Sequence, residues 1–284
     1  MQDLIAAQTI NLIYAVTLLA VLSLGLAVIF GLLGVLNLAH GEFIMLGAYC
    51  AVVVRQNGWP FLTAIPLAIL VCGSIGYVIE VLIMRRLYRR TFDTLVATWG
   101  LSLLLRKSAE AVFGLTYRSV ETPLPGTIDV FGVPYPAYRL AVIGLGATAI
   151  FVLAIWYGNS RTGLRIRAMT GNPELAQSLG LSVKRLAAGT FVTGTCLAAL
   201  SGVMIAPLVP VFPYMGLDYV LRTFFVIVVG GLGSVIGLVY GALAIGGLDS
   251  AVSAFSNGTY GYLSVIVLAI AFLWLRPRGI HVRG

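Results

Sequence analysis

The sequence predicts an all-α protein, a polytopic transmembrane helix bundle with eight or nine membrane segments, some of them broken or re-entrant. Hydrophobic residues make up 60% of the 284 residues, charged residues only 10%, and the mean hydropathy is +1.00. Soluble domains carry roughly 25% charged residues, so this composition is typical of a membrane protein. The apolar residues form runs of roughly 20, the length that an α-helix needs to cross a bilayer.

Lysine and arginine are concentrated in a few short loops between the apolar runs. The chain has 18 of these residues against 10 acidic ones, a net charge of +8. Basic loops mark the cytoplasmic side of a membrane protein, and the densest cluster, at residues 85–90, anchors that side. Counting crossings from it places the basic loop at residues 158–185 and the C-terminal tail on the same face. A nucleic-acid partner would need a basic stripe on a soluble surface, which the sequence lacks.

Four spans are predicted in the first part of the chain. The first two follow one another almost without a loop, and Pro60 suits the first turn of the third. The fourth carries Arg106 and Glu110, which are four residues apart and could pair on one helix face. These spans are residues 10–30, 31–54, 61–84 and 94–113.

The second part of the chain alternates loops with spans. The loop at residues 114–139 contains four prolines and sparse, mixed charges, so we expect it outside, with a short pair of strands. One later segment is interrupted by glycines and is either a re-entrant half-helix or a full crossing. The other predicted segments are spans at residues 140–157 and 186–207, an external loop at 208–219, the interrupted segment at 224–233, and apolar runs at 235–253 and 260–275.

Residues 37–42 place polar groups in the middle of an apolar stretch of membrane length. Asn37, His40 and Glu42 lie there beside Gly41. Polar side chains at bilayer depth are costly and usually face a bundle interior or a pathway. Because a broken helix is tolerated there only against protein or a water-filled cavity, we predict a helix break beside a substrate route. The alternative is a polar clamp between helices, while a proton relay is disfavoured because no chain of carboxylates accompanies the histidine.

A second interruption is predicted at Gly230, Gly231, Gly233 and Ser234. Two glycine-interrupted segments, one in each half of a transporter, point to a binding site near the bilayer midplane. Close helix packing is an equally good explanation, because small residues let helix backbones approach. The pattern lacks the Gly-Lys-Ser/Thr end of a nucleotide-binding loop, so we do not expect a phosphate site.

The basic loop at residues 158–185 is predicted to contain a short capped helix. Asn172 suits the N-cap, Pro173 the first helical position, Glu174 the positive helix end and Gly180 the terminator. Such a helix between two spans is available to contact a soluble partner.

The sequence does not indicate chemistry within the chain. Cys50, Cys72 and Cys196 lie in apolar runs without CxxC spacing, so we interpret them as packing residues. His40 and Glu42 lack a nucleophile or a second pair of metal ligands, so we predict neither a metal site nor an intramembrane enzyme. No P-loop is present, and we therefore expect no cofactor in this chain, with energy supplied by a partner.

Three motifs together resemble a known family. They are GLLGVLNLAHGEFIMLGAY at residues 31–49, RTGLRIRAMTGNPELAQSLGL at residues 161–181 and VVGGLGSVIGLVYGALAIG at residues 228–246. In this order they resemble the permease subunits of the branched-chain amino-acid ABC importers, specifically the shorter type, over nearly the whole chain. The resemblance implies that residues 1–284 are a single transmembrane permease domain.

The resemblance also implies partners, a location and sites. The family's assembly is a heterodimer of two related permeases, two ATP-binding subunits and an extracytoplasmic substrate-binding protein, in the bacterial plasma (inner) membrane. ATP is bound by the partner subunits, and the short helix resembles the coupling helix that docks on them. The expected coupling residues are Arg161, Arg165, Asn172, Pro173, Glu174, Leu175 and Gly180. The expected translocation pathway comprises Asn37, His40, Gly41, Glu42, Thr98, Trp99, Gly100, Gly230, Gly231, Gly233 and Ser234.

Trp99 leaves two classes of transported solute open. Amino-acid importers of this family tend to have isoleucine at this position, and the tryptophan resembles the branch that moves urea and short amides. Import of branched-chain or hydrophobic amino acids is the main expectation, with urea or short amides as the alternative. A stand-alone secondary transporter or channel is the alternative from a different class, because it too would use broken helices.

Overall fold

The computed structural model describes residues 2–88, 90–130, 132–231 and 235–275. Most of them are helical, which confirms the predicted all-α transmembrane helix bundle. The helices are α1 (Gln2–Leu33), α2 (His40–Gln56), α3 (Ala64–Ile79), α4 (Arg85–Leu87), α5 (Thr91–Phe113), α6 (Ala137–Asn159), α7 (Arg161–Gly171), α8 (Pro173–Ser178), α9 (Val183–Ile205), α10 (Met215–Gly230), α11 (Val235–Phe255) and α12 (Gly258–Leu275).

Apolar helices of membrane length recur along the described chain. Within these residues, five helices are long and apolar enough to span a bilayer, and one shorter apolar helix follows. The 16 residues of α10 extend about 24 Å at 1.5 Å per residue, less than the roughly 30 Å of a hydrocarbon core. The count of eight or nine segments stays a prediction. The five are Ala6–Leu33, Phe61–Leu87, Ala137–Asn159, Val183–Ile205 and Ile236–Phe255, and the shorter helix is Gly258–Phe272.

The chain divides into two compact units, each assembled from separate stretches. Unit 1 comprises residues 1–23, 122–150 and 222–284, and unit 2 comprises residues 24–121 and 151–221. Three helices, α1, α6 and α10, contain a unit boundary and contribute residues to both. The single permease domain over the full length stays a prediction.

In unit 2, α2 packs against α9 and α3 with little room for side chains. Gly47 of α2 lies against the backbone of Ala199, and Gly202 of α9 lies against the backbone of Ile44. Small residues at such positions let two helix backbones approach closely. As a result α2 is buried over most of its length, which holds its polar first turn inside protein.

In unit 1, α10 and α11 meet at glycines, and a hairpin forms within the proline-rich loop. Gly230 lies against the carbonyl oxygen of Gly237, and Gly241 lies against the carbonyl oxygen of Val226. The strands β1 (Thr127–Val130) and β2 (Val133–Pro136) are antiparallel, which confirms the predicted short strand pair.

The end of α3 is a π-helical segment, Glu80–Met84, that leads into α4. Glu80 is fully buried and accepts hydrogen bonds from Arg85 Nη2 at 2.8 Å and Nε at 3.3 Å. The Tyr88 hydroxyl donates to the same carboxylate at 3.4 Å. A π-helix brings residues five apart into register, so this local geometry places the arginine directly over the buried acid.

Candidate functional site

The non-helical link between α1 and α2 begins at Gly34, earlier than the predicted break at residues 37–42. Gly34 has a φ of +65°, a left-handed conformation that glycine adopts at little cost. Asn37 lies in the link, whereas His40 and Gly41 already belong to the first turn of α2. The sequence suggested Gly41 as the helix breaker, but the missing side chain at that position serves packing instead.

Thr98 of α5 is hydrogen-bonded to the backbone of this link. Its hydroxyl oxygen accepts from the amide of Leu38 at 3.2 Å and lies 3.3 Å from the carbonyl oxygen of Leu36. Within the link, Asn37 Oδ1 accepts from the amide of Ala39 at 3.1 Å. Asn37 Nδ2 has no hydrogen-bond partner among the described residues. These bonds satisfy backbone groups that an unbroken helix would have paired internally.

Glu42, Ser102 and Arg106 form a buried polar cluster between α2 and α5. Glu42 is 1% exposed and Arg106 is 7% exposed. Arg106 donates to Glu42 Oε1 from Nη2 at 2.6 Å and from Nε at 3.2 Å, and the Ser102 hydroxyl donates to the same oxygen at 2.8 Å. The other carboxylate oxygen, Oε2, has no hydrogen-bond partner in the part of the chain that the structure describes. Removing one member of such a pair would leave a buried charge unpaired, so the pair ties α5 to α2.

The pairing of Arg106 differs from the expectation drawn from sequence spacing. The predicted partner, Glu110, instead accepts from Lys107 Nζ at 2.7 Å. Sequence reasoning therefore missed Arg106 and Ser102 as partners of the polar first turn of α2. A signal was present, because Thr98, Ser102 and Arg106 recur every four residues and mark one polar stripe on an apolar helix.

Tyr214 separates this buried cluster from an exposed ion pair. The guanidinium carbon of Arg106 lies 5.5 Å from the ring centroid of Tyr214, and Lys107 Nζ lies 5.7 Å from it. Both distances fall within the roughly 6 Å range of cation–π attraction. The Tyr214 hydroxyl donates to Glu110 Oε2 at 3.0 Å and accepts from Lys107 Nζ at 3.0 Å. A line of polar groups thus runs from the protein surface, where the Lys107 side chain is 62% exposed, to the buried pair.

The first turns of α2 and α10 meet at a pair of glycines in unit 2. Gly41 lies against the carbonyl oxygen of Gly216, and Gly216 in turn lies against the carbonyl oxygen of Gly41. A Cβ atom on Gly216 would come within 3.0 Å of Glu42 Oε2. His40 is fully buried with its ring beside Gly25 of α1. The polar residues of this first turn are therefore enclosed by protein, as both the pathway and the clamp interpretations require.

Trp99 and Gly100 do not join this cluster. The side chain of Trp99 is 60% exposed, and a Cβ on Gly100 would meet no described atom within 4 Å. They lie on α5 away from the buried Thr98. Their place in the translocation pathway stays a prediction.

Gly230 and Gly231 end α10 in unit 1. Gly230 packs against the backbone of Gly237, which agrees with the close-packing interpretation. Gly231 has a φ of +100°, so the helix stops where the glycine pattern predicts an interruption. Gly233 and Ser234 lie outside the described residues.

The basic loop folds into two helices, and the cap of the second is as predicted. Asn172 Oδ1 accepts from the amides of Glu174 at 3.1 Å and Leu175 at 3.0 Å. Pro173 occupies the first position of α8, and Gly180 follows the helix with a φ of +83°. The local geometry inferred from these residue types is therefore confirmed, while their role in coupling stays a prediction.

The two helices of this loop expose leucines on α8 and arginines on α7. Leu175 is 57% exposed and Leu179, one turn further, is 73% exposed. Arg161 and Arg165 are exposed on α7, which lies within the predicted basic loop.

No metal centre emerges within the described ranges. Groups of three or more histidine, cysteine, aspartate or glutamate side chains that could hold an ion are not found there. Cys50 and Cys72 are buried and Cys196 is half-buried, all three as free thiols.

Sequence relatives are transport permeases that match nearly the full chain. LivH of Escherichia coli (strain K12), named a high-affinity branched-chain amino acid transport system permease protein, is 27% identical and aligns over 92% of this chain and 90% of its own length. BraD of Pseudomonas aeruginosa carries the same description, is 27% identical and aligns over 99% and 95%. The ribose import permease protein RbsC of Haemophilus influenzae is 23% identical over 93% and 83%.

One solved structure and one family model also match most of this chain. PsaBC from Streptococcus pneumoniae, in complex with a Fab, has a TM-score of 0.53 at 13% identity, covering 94% of this chain and 91% of that chain, and shows the fold alone. The family model described as branched-chain amino acid transport system / permease component matches residues 8–275. The match spans both helix interruptions and the basic loop, and the chain therefore belongs to the family of branched-chain amino acid transport permease components.

Proposed function

We propose that this chain is a transmembrane permease subunit of an ABC importer for branched-chain or other hydrophobic amino acids. The family match over residues 8–275 carries the proposal. LivH of Escherichia coli and BraD, both named for branched-chain amino acid transport, align over 90% and 95% of their own length, which supports the same solute class here. The chain is a multi-pass protein of the plasma (inner) membrane, and its apolar helices of spanning length agree with that location.

The proposed importer needs partners, because the sequence contains no nucleotide-binding loop. We assign ATP hydrolysis to two ATP-binding subunits and solute delivery to an extracytoplasmic substrate-binding protein. A second, related permease forms a heterodimer with this chain. No cofactor is assigned to the chain itself, since ATP binds to the partner subunits.

The ATP-binding subunits contact the loop formed by α7 and α8. The exposed Leu175 supports this assignment, as does the capping of α8 by Asn172, which makes the short helix a defined docking element. Motion of a docked partner would pass through α7 and α9 to the bundle. The coupling set is Arg161, Arg165, Asn172, Pro173, Glu174, Leu175 and Gly180.

The proposed translocation pathway passes the two helix interruptions. In unit 2 the buried cluster around Glu42 supports the first part of this route, because intramembrane ionisable groups usually mark a pathway. The left-handed backbone of Gly231, directly after α10, supports the second part. The proposed residues are Asn37, His40, Gly41, Glu42, Thr98, Trp99, Gly100, Gly230, Gly231, Gly233 and Ser234.

A charge reversal on α8 tests the coupling assignment. We expect Glu174→Lys to lower solute-stimulated ATPase activity and leucine uptake by about tenfold, because it reverses the charge at the first turn of the docking helix. The measurement uses the purified complex in proteoliposomes. The matched control is Asp129→Lys, the same reversal on the exposed external hairpin, which should leave both activities unchanged.

Two outcomes would contradict the proposal. If Glu174→Lys leaves assembly, uptake and ATPase activity intact, α8 is not the coupling element. If the isolated chain moves solute without nucleotide or partners, it is a secondary transporter or channel instead.

Urea or short-chain amides remain the second candidate solutes, favoured by Trp99. The same proteoliposomes distinguish them, since a urea or amide importer would hydrolyse ATP in response to acetamide or urea and not to leucine.

A further inference from the structure

The hydrogen bonds of the Glu42–Arg106 pair converge on one oxygen of the carboxylate. Arg106 directs Nε and Nη2 at one oxygen, Glu42 Oε1, although a guanidinium fork matches the two oxygens of a carboxylate. Glu42 Oε1 receives three hydrogen bonds, while Oε2 receives none from the described residues. The Glu80–Arg85 pair of the same unit, by contrast, has one guanidinium nitrogen on each carboxylate oxygen.

A glycine and a serine lie next to the pair, and an aromatic ring covers it. Gly216 lies beside Glu42 Oε2, and the Ser102 hydroxyl accepts from Arg106 Nη2 at 2.8 Å. Tyr214 lies over Arg106 and is joined by its hydroxyl to the partly exposed Lys107 and Glu110. Tyr214 belongs to the predicted external loop at residues 208–219, so the covered side is the side from which solute arrives.

We propose that Glu42 and Arg106 form a subsite for zwitterionic α-amino acids. The carboxylate of the solute binds the Arg106 fork, its ammonium group binds Glu42, and Tyr214 closes the subsite from outside. The inference rests on the proposed function and narrows it to one solute class.

When the solute replaces the Glu42–Arg106 pairing, the net charge of the site does not change. This makes the replacement feasible in the protein interior. Separating a buried acid from a buried base is strongly unfavourable when either is left unpaired. A zwitterion entering between them pairs both charges at once and adds no net charge to the interior. Urea and short amides carry no charges to replace the lost pairing, so the subsite discriminates against the alternative solutes.

The test uses the assembled transporter in lipid nanodiscs without its binding protein. Binding of radiolabelled leucine is measured with three competitors: 4-methylpentanoate, which lacks the ammonium group, isopentylamine, which lacks the carboxylate, and urea. Leucine should bind saturably, and each competitor should be weaker than unlabelled leucine by about tenfold or more. Equal competition by either truncated analogue, or no saturable binding, would overturn the proposal. This arm needs no variant and holds even if a mutant fails to assemble.

Variants separate a subsite from a clamp. Glu42→Gln should weaken leucine binding by about tenfold or more, whereas Glu80→Gln, at another buried ion-paired carboxylate of unit 2, should leave it within about twofold. The double exchange Glu42→Arg with Arg106→Glu should restore the thermal stability that the single exchanges lose, but not leucine binding. A solute bound to the reversed charges would have its carboxylate and ammonium groups in exchanged positions, so its side chain would point in a different direction. Restored binding and uptake in the double exchange would show that the pair is only a clamp.

The result is separable from a failure of the proposed function. If the complex assembles and hydrolyses ATP in response to leucine-loaded binding protein, yet the analogues compete equally, only the subsite is wrong. If the ATP-binding subunits do not copurify with the chain, the importer assignment itself fails.

Discussion

Gly41 shows how one missing side chain fixes a helix contact. Its backbone touches that of Gly216, so a Cβ atom would collide with a carbonyl oxygen and not with a movable side chain. Glycine inside a helix costs about 0.5–1 kcal/mol relative to alanine, so its use here has to be offset by packing. Gly100 is the contrasting case, since the space around it is open.

Alanine substitutions at these two glycines should have opposite effects. We expect Gly41→Ala to destabilise the protein by about 2–3 kcal/mol, because the overpacked contact forces the backbones of α2 and α10 apart. Gly100→Ala should be neutral or stabilise by up to about 1 kcal/mol through helix propensity. Thermal unfolding of the purified transporter, followed by intrinsic fluorescence, measures both. Equal melting temperatures for the two variants would show that the glycine contact is not a tight one.

The polar residues of the site differ in how far sequence could predict them. Glu42 and Asn37 stand out because polar groups are rare in an apolar stretch of membrane length. The partner of Glu42 could not be inferred, because Arg106 has a nearer acid, Glu110, at helical spacing. Only the packing of α5 on α2 decides whether Arg106 pairs with Glu42 or with Glu110. Glu42 and Arg106 are 64 residues apart in the chain.

The α8 helix depends on its cap more than a longer helix would. It has six residues, too few to be stable through its own hydrogen bonds. Asn172 satisfies two of the amides that a helix start leaves unpaired, and Ala176 is its buried residue. Its order therefore rests on one side chain and on contacts with α7 and α9.

Removing this cap should loosen α8 without unfolding the bundle. We expect Asn172→Ala to cost about 1 kcal/mol locally and to speed hydrogen exchange at the backbone amides of α8 that follow Pro173 by about fivefold. The control is Asn257→Ala, because Asn257 caps α12 in the same way through the amides of Thr259 and Tyr260. That variant should speed exchange at the start of α12 alone. Unchanged exchange in α8 would mean that tertiary contacts, and not the cap, order it.

Several spans were predictable to within a few residues, but the starts of α1, α2 and α10 each differ by eight or nine residues from the predicted segments, and α7 was not predicted. The prediction at residues 186–207 corresponds to α9 (Val183–Ile205), because a long apolar run has few alternatives to a helix in a membrane. Within the basic loop, arginines dominate the composition of α7, so the sequence does not predict a helix there. Its buried Gly163, Ile166 and Met169 recur every three residues, an amphipathic pattern too short to outweigh the charge.

The charges of the chain are distributed unequally between its predicted two faces. Exposed basic residues such as Arg86 and Arg165 fall in segments assigned to the cytoplasm. The predicted external segments hold mixed pairs, and Arg55 forms an ion pair with Glu121 there. Because basic residues are retained on the cytoplasmic side, this asymmetry specifies one orientation.

Cysteine labelling of intact cells tests that orientation. In a background with Cys50, Cys72 and Cys196 replaced by alanine, we expect Asp129→Cys to react with a membrane-impermeant maleimide. Arg86→Cys should react only after the membrane is permeabilised, because its loop is predicted to lie in the cytoplasm. Both side chains are exposed, so burial does not confound the comparison. Labelling of Arg86→Cys in intact cells would reverse the assignment of the two faces.

The π-helical segment Glu80–Met84 introduces an angular offset between the two ends of one membrane span. Each residue of an α-helix turns the chain by about 100°, and a π-helical turn accommodates one extra residue. Upstream of it, Gly76 keeps its place against Thr195. Downstream, the guanidinium of Arg85 is rotated onto Glu80 instead of facing lipid. Deleting one residue here would swing that cation a quarter-turn or more around the axis, so this span tolerates substitutions better than changes in length.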